Sequence, residues 1–291
     1  MVDIYLKYIK YERRYSKHTI TSYTTDLYQF RKFLIQNFEG HNILEADHSE
    51  IRAWVVALVE NGLDSNSINR KIASLKSFFK FLLKREEIKK DPTWKIKALK
   101  SAKRLPQFVR ENEMLAILDN IKFDNDFIGS RDKLIMEVLY GTGVRLSELL
   151  NLKCDDINLH NLTIKVLGKR NKERIIPISE SLKQVISNYN IVKPQGVDSM
   201  SYLLVSKGGK KCYAMVIYRT VKKYLTALAK VEKNSPHVLR HTFATHLLNK
   251  GADLNAVKDL LGHSSLAATQ VYTHNSMEKL KAVFDKAHPK A

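Results

Sequence analysis

The sequence predicts a mostly α-helical fold with a small β-sheet, arranged as two domains. Three observations predict it. Apolar residues recur at helical spacing through the first hundred positions, two β-rich runs joined by a basic turn interrupt the second half, and helical spacing then resumes to the end. A chain of 291 residues is long enough for two cores at roughly 150 residues per domain.

The elements follow in order. Ile4 to Tyr11 opens as a short helix, and after Ser16 the positions Ile20, Tyr23, Leu27, Phe30 and Leu34 mark one face of a second. Beyond the polar stretch Asp47 to Glu50, Ile51, Trp54, Val55, Leu58 and Val59 mark a third helix, with Gly62 placed to end it. Ile68, Ile72, Leu75, Phe79 and Leu82 mark a fourth. Residues 1–90 thus form a bundle of about four helices. Arg70, Lys71, Lys76, Lys80, Lys84 and Arg85 lie between the apolar positions and predict a basic face suited to a groove of DNA.

Residues 91–110 (DPTWKIKALKSAKRLPQFVR) are lysine-rich, carry two prolines and keep no period, so they read as a basic interdomain linker over the surface. Within 111–291, Leu134, Ile135, Val138 and Leu139 mark a helix that ends at the Gly141-Thr142-Gly143 turn, and Leu146, Leu149 and Leu150 mark another. LTIKVL (162–167) and RIIPIS (174–179), joined by GKRNKE, read as a basic β-hairpin, and YLLVS (202–206) as a third strand. Helices are predicted over Tyr213 to Val231, Pro236 to Lys250, Leu254 to Leu261 and Leu266 to His274, with a tail helix in 276–291.

Charge narrows the class of partner. Lys and Arg number 49 against 30 Asp and Glu, a net charge of +19 that points to a polyanion. With 44% hydrophobic residues, 11 Gly and 6 Pro, the charge belongs to folded surfaces and not to a disordered basic tail. The excess divides almost evenly between residues 1–105 and 106–291, as in two lobes of a clamp, although for any single lysine a solvated helix face is the better reading. Cys154 and Cys212 form no CxxC or Cys/His cluster, which predicts a reduced, cytoplasmic protein without structural zinc. The longest apolar run, Ala53 to Val59, is far short of the roughly 20 residues that span a bilayer, and no signal segment opens the chain. Neither a Walker motif nor GxGxxG occurs, so no nucleotide cofactor is expected.

Phosphodiester cleavage builds charge on nonbridging oxygens, and a guanidinium holds two oxygens at once. Five segments supply suitable groups. GTGVRLSELLNL places Arg145 just past a double-glycine turn; alone, it has the profile of a surface arginine. GKRNKER puts Lys169 in a basic turn, where a lysine is ordinarily just solvated. In SPHVLRHTFATHLLNKGADL, Ser235 can cap a helix whose first residue is Pro236, with Val238, Leu239, Phe243, Leu247 and Leu248 facing a core. His237 and Arg240 then share a face near the N-terminus, while His241 and His246 read as structural. This pair alone fits a helix cap with a surface partner equally well. VKDLLGHSSLAATQVYTH carries His263 after Gly262 and Tyr272 nine residues later; most of the 13 tyrosines must simply pack. The tail, MEKLKAVFDKAHPKA, is an amphipathic end helix.

Together these motifs, in this order, closely resemble those of the tyrosine site-specific recombinases, in particular the Xer type, and the resemblance runs over the whole chain. It implies a helical N-terminal core-binding domain and a mixed α/β catalytic domain, and it places Arg145, Lys169, His237, Arg240, His263 and Tyr272 on the family's six active-site positions. One departure is Arg170, where family hairpins often have glycine. The implied reaction is attack by Tyr272 on DNA to give a 3′-phosphotyrosine intermediate, without ATP or metal. The implied partners are double-stranded DNA with a specific recombination site and a homo- or hetero-tetramer on two duplexes, with a second recombinase as one option. The implied setting is the nucleoid, with chromosome or plasmid dimers resolved at cell division and the 276–291 tail docked on a neighbouring protomer. Alternatives with the same chemistry are a mobile-element integrase and a type IB topoisomerase; a non-catalytic DNA-binding protein and a metal-dependent nuclease lie further off.

Overall fold

A computed structural model describes residues 1–38, 42–101, 107–168, 172–198, 200–228, 234–262 and 274–290. The chain divides into two compact units, Met1–Arg104 and Leu105–Ala291. The first contains α1 (Val2–Tyr11), α2 (Lys17–Asn37), α3 (His48–Glu60) and α4 (Ser65–Lys84). Three of these start on a side chain that accepts from otherwise unpaired first-turn N–H groups. Ser16 accepts from Thr19, Asp47 from Glu50 in a reciprocal capping box, and Asp64 from Asn66 and Ser67. The predicted apolar stripes meet in one core, with Phe30 tilted against Trp54 at 5.0 Å.

A charged cluster crosses that core. Asp26 of α2 is fully buried and accepts from Lys71 Nζ (2.9 Å), from Ser74 Oγ (3.0 Å) and from Arg70, all on α4. The predicted basic face is therefore smaller than the sequence implied: Lys71 is buried and neutralised by Asp26, whereas Lys76, Lys80, Lys84 and Arg85 are exposed. Residues 91–101 are also held more tightly than a tether needs. Ile96 is buried in the core of the first unit, and the Asn69 side chain both donates to Leu99 O (2.9 Å) and accepts from Leu99 N (2.7 Å). On the other side of the undescribed residues 102–106, Val109 is buried in the second unit.

The second unit contains α5 (Glu111–Asp119), α6 (Phe127–Thr142), α7 (Leu146–Asn151), β1 (Ile157–Asn158), β2 (Thr163–Leu167), β3 (Glu173–Pro177), α8 (Glu180–Val192), α9 (Ala214–Leu228), α10 (Pro236–Asn249), α11 (Leu254–Leu261) and α12 (His274–Ala287). Helix α6 is its axis, buried from Leu134 to Thr142 and packed by α8, α9 and α10. The hairpin forms as predicted: β2 pairs antiparallel with β3, Ile164 facing Ile176. The third strand is not 202–206 but β1, on the other edge of β2, in the order β1-β2-β3. Residues 202–206 make only the isolated bridges Lys153↔Tyr202 and Val205↔Lys211, and Leu203, Leu204 and Val205 are apolar because they fill the core. The helix expected over 266–274 falls almost wholly outside the described residues.

The tail packs on its own unit. Leu280, Phe284 and Ala287 of α12 are buried, and α12 lies against α10, α11 and β3. Beyond it, Lys290 Nζ binds Asp119 Oδ1 and Glu137 Oε1, each at 2.8 Å. His288 stacks on Phe284 (4.8 Å between centroids) and accepts from Lys290 N through Nδ1 (3.1 Å).

Two outcomes follow from these buried groups. Asp26→Ala leaves Lys71 buried without its carboxylate and should destabilise the first unit by about 3 kcal/mol, read from the urea transition of the full chain; an unchanged transition would refute that role. Burial, opposed in part by a hydrogen bond to the Tyr140 backbone and aided by the charges of Lys250 and Lys290, pushes the His288 pKa down to about 3 from the ordinary 6.5. Because the folded imidazole takes up its proton less readily than the unfolded one, its stabilising share is complete above pH 6.5 and is lost as pH falls toward 3. The pH dependence of the denaturation midpoint should flatten over that range in His288→Phe.

Candidate active site

The site grows from the ends of short helices. Helix α6 stops at Gly143, whose left-handed backbone (φ 60°) turns the chain so that Arg145 becomes the N-cap of α7. Only glycine fits that turn, since a Cβ on Gly143 would stand 2.5 Å from Phe243 Cδ1. The Arg145 backbone N–H donates to Glu148 Oε2 (2.8 Å) and its Nη1 to Glu148 Oε1 (2.7 Å). The Arg145 guanidinium is thereby pinned to a buried carboxylate one turn on.

Helix α10 supplies the second arginine. Pro236 occupies its first turn as predicted, but Ser235 makes no side-chain cap bond and acts only through its carbonyl, which accepts from Val238 N at 2.9 Å. Val238, Leu239, Phe243 and Leu247 face the core, whereas Leu248 is 39% exposed and does not. His237 is exposed one turn before Arg240, and Arg240 itself is buried. Arg240 donates through Nη1 to Gly143 O (2.6 Å) and through Nη2 to Leu261 O (2.5 Å). His246 is structural, as read: its Nε2 faces the carbonyl of Val109 (2.9 Å) and so donates, leaving Nδ1 to accept from the Tyr140 hydroxyl (3.0 Å). His241 is exposed and carries no such role.

Two groups that sequence reasoning passed over complete the arrangement. Glu148 is buried between Arg145 and Arg174, and Arg174 offers it both arms of its fork, Nη1 to Oε1 (3.0 Å) and Nη2 to Oε2 (2.8 Å). Burial alone would raise the Glu148 carboxyl, but the Arg174 fork and charge, followed by the bonds from Arg145, outweigh it and hold the pKa at about 2. Arg240 moves the other way, to about 10, through desolvation first and then the charges of Arg145 and Arg174. It still carries its charge at neutral pH. The available signal was spacing: Glu148 lies three residues beyond Arg145 in the GTGVRLSELL motif, on the same helical face.

All three guanidiniums converge on the last carbonyls of α11. Arg174 Nε binds Leu260 O (2.7 Å), Arg240 Nη2 binds Leu261 O, and Arg145 Nη2 reaches Gly262 O (3.4 Å). These carbonyls have no partner within the helix and form the negative end of its dipole. Three positive groups facing one carboxylate and one helix end leave a local excess of positive charge, the property an anion site needs. Of the six predicted positions, the structure brings Arg145 and Arg240 to this point and places His237 one turn from Arg240. Lys169, His263 and Tyr272 lie outside the described residues. No group of three or more His, Cys, Asp or Glu side chains arranged to hold a metal ion occurs among the described residues.

Comparison with known proteins agrees with this architecture. Residues 107–279 match the phage integrase family, and residues 2–86 match the N-terminal SAM-like domain of phage integrases. A tyrosine recombinase XerC of Chlorobaculum tepidum is 35% identical over 99% of this chain and 94% of its own length. One of Staphylococcus carnosus is 38% identical over 99% and 97%. Among solved structures, the XerH site-specific recombinase bound to a palindromic difH substrate aligns over 95% of this chain and 82% of its own, with a TM-score of 0.71 at 24% identity. The Tn1549 transposon integrase in complex with transposon right end DNA aligns over 96% and 97%, with a TM-score of 0.71 at 23% identity, so both show a shared fold. With both units matched in order and full-length relatives on either side, the chain belongs to the phage integrase family, as a tyrosine recombinase of the Xer type.

Proposed function

We propose that this recombinase cuts and rejoins double-stranded DNA at a specific site, with Tyr272 as nucleophile. The observation that carries the reading is the convergence of Arg145 and Arg240, distant in sequence, on the end of α11, where the next residue after Gly262 is His263. Two forks at one point suit the two nonbridging oxygens of a single phosphate. The Tyr272 oxygen bonds to phosphorus as the bond to the 5′ oxygen breaks, leaving a 3′-phosphotyrosine. Lys169 gives its proton to the departing 5′ oxygen, and His263 adds a hydrogen bond to the phosphate. His237 helps remove the tyrosine proton, which a phenol with an unperturbed pKa of about 10 retains at neutral pH.

The ester conserves the energy of the broken phosphodiester, so a 5′ hydroxyl can reverse the step without ATP. A hydroxyl from a second duplex exchanges strands, which calls for four protomers acting in pairs, of one kind or two. The relatives named XerC favour resolution of chromosome or plasmid dimers, at the nucleoid in the cytoplasm. No described helix is long and apolar enough to cross a membrane. The 276–291 tail, which buries Leu280, Phe284 and Ala287 on its own unit, is the segment we assign to contact between protomers.

A nicked suicide substrate tests the chemistry. Wild type should form a covalent adduct that disappears in Tyr272→Phe, and Arg145→Ala should lose cleavage while retaining most DNA binding; an adduct that persists without Tyr272 refutes the assignment. Site-independent relaxation of supercoiled plasmid would favour a topoisomerase instead. Removing 276–291 should impair exchange between paired sites more than binding to one, as measured by recombination and gel-shift assays on the same preparation. Full exchange by the shortened chain would exclude the tail contact.

A further inference from the structure

We propose that Arg174 is a positioning residue for strand cleavage, a buried hub whose main effect on the reaction is to place the segment leading into Lys169 against the Glu148 carboxylate that holds Arg145. It rests on the assignment above of the leaving-group proton to Lys169. Arg174 is 4% exposed, and its Nε, Nη1 and Nη2 are all committed to protein acceptors, Leu260 O and the two oxygens of Glu148. Arg145 and Arg240 are held through their Nη atoms alone, whereas Arg174 is tied at Nε as well, so it acts through its neighbours.

Those neighbours are the roots of three catalytic segments. Glu148 holds the backbone N–H and the guanidinium of Arg145. Gly262 precedes His263, and its missing side chain leaves the space that Arg174 fills: a Cβ there would lie 3.1 Å from both Arg174 Cδ and Nη1. Gly168 precedes Lys169, and a Cβ there would lie 3.6 Å from Arg174 Nη1 and from Glu148 Oε1. The Gly168 N–H donates to Lys172 O (2.8 Å), so the described residues on either side of Lys169 meet beside Arg174. One side chain thus touches the bases of two segments and, through one carboxylate, fixes the third. Only a planar fork can meet Glu148 with two bonds while Nε reaches a helix carbonyl; an ammonium keeps the charge and loses that geometry.

The test uses the full chain and two suicide substrates, an ordinary phosphodiester and a 5′-bridging phosphorothiolate whose thiolate leaves without being protonated. Arg174→Lys should slow adduct formation on the ordinary substrate by on the order of 100-fold, with DNA affinity unchanged, and recover much of that loss on the phosphorothiolate. Gly168→Ala, which crowds the turn but keeps the buried ion pair, should show the same substrate-selective loss at smaller size, should the lysine variant fold poorly. Equal losses on both substrates, or no loss, would overturn the proposal when the control Lys169→Ala is rescued by the phosphorothiolate. If Lys169→Ala is not rescued, the assignment of the proton to Lys169 fails and the proposal falls with it.

Discussion

A cluster of arginines around an anion site must first be held together, because the groups repel one another and resist burial. The carboxylate of Glu148 solves this problem here. It bonds Arg145 and Arg174 together, and its pKa of about 2 keeps it charged wherever the protein is folded at ordinary pH. The end of α11 adds three carbonyls that no intrahelical N–H can reach, one for each arginine. Side-chain charge and helix end together let positive groups stand close without a bound anion. The same bonds fix the orientation of each guanidinium.

The first unit shows the same logic applied to stability. Asp26 draws in Arg70, Lys71 and Ser74 from α4, so that a buried charge joins two helices at one register. Removing one partner of such a cluster is costly because the remaining charge stays buried. In the tail, His288 solves burial differently, by remaining neutral among Phe284, Phe243 and Tyr140, while Lys290 beyond it is bound by two carboxylates.

Legibility differed by element for identifiable reasons. The hairpin was plain because β-branched residues alternate on either side of a basic turn. The helix from Pro236 was plain because proline opens it and its apolar residues repeat at helical spacing. The run 202–206 misled because fully buried chain is apolar whatever its conformation; β1, only two residues long, carries no pattern at all. Ser235 has the right side chain in the right position and still makes no cap bond. Lys71 looked like one more cation on a basic face until Asp26, far away in sequence, claimed it.

The sequence by itself determined the class of partner, the two domains' helical and mixed character, and the candidate groups Arg145, Lys169, His237, Arg240, His263 and Tyr272. Charge, periodicity and motif spacing are local quantities, and a linear reading recovers them. Only the tertiary structure decided which charges are available and which are spent. Glu148 and Arg174 carry no signal of their own in the sequence until folding buries them against each other, and Lys71 leaves the predicted basic face because Asp26 buries it. Pairing across long stretches of chain is set by where the backbone turns, at Gly143 and Gly262 above all, and no single segment of sequence contains that geometry.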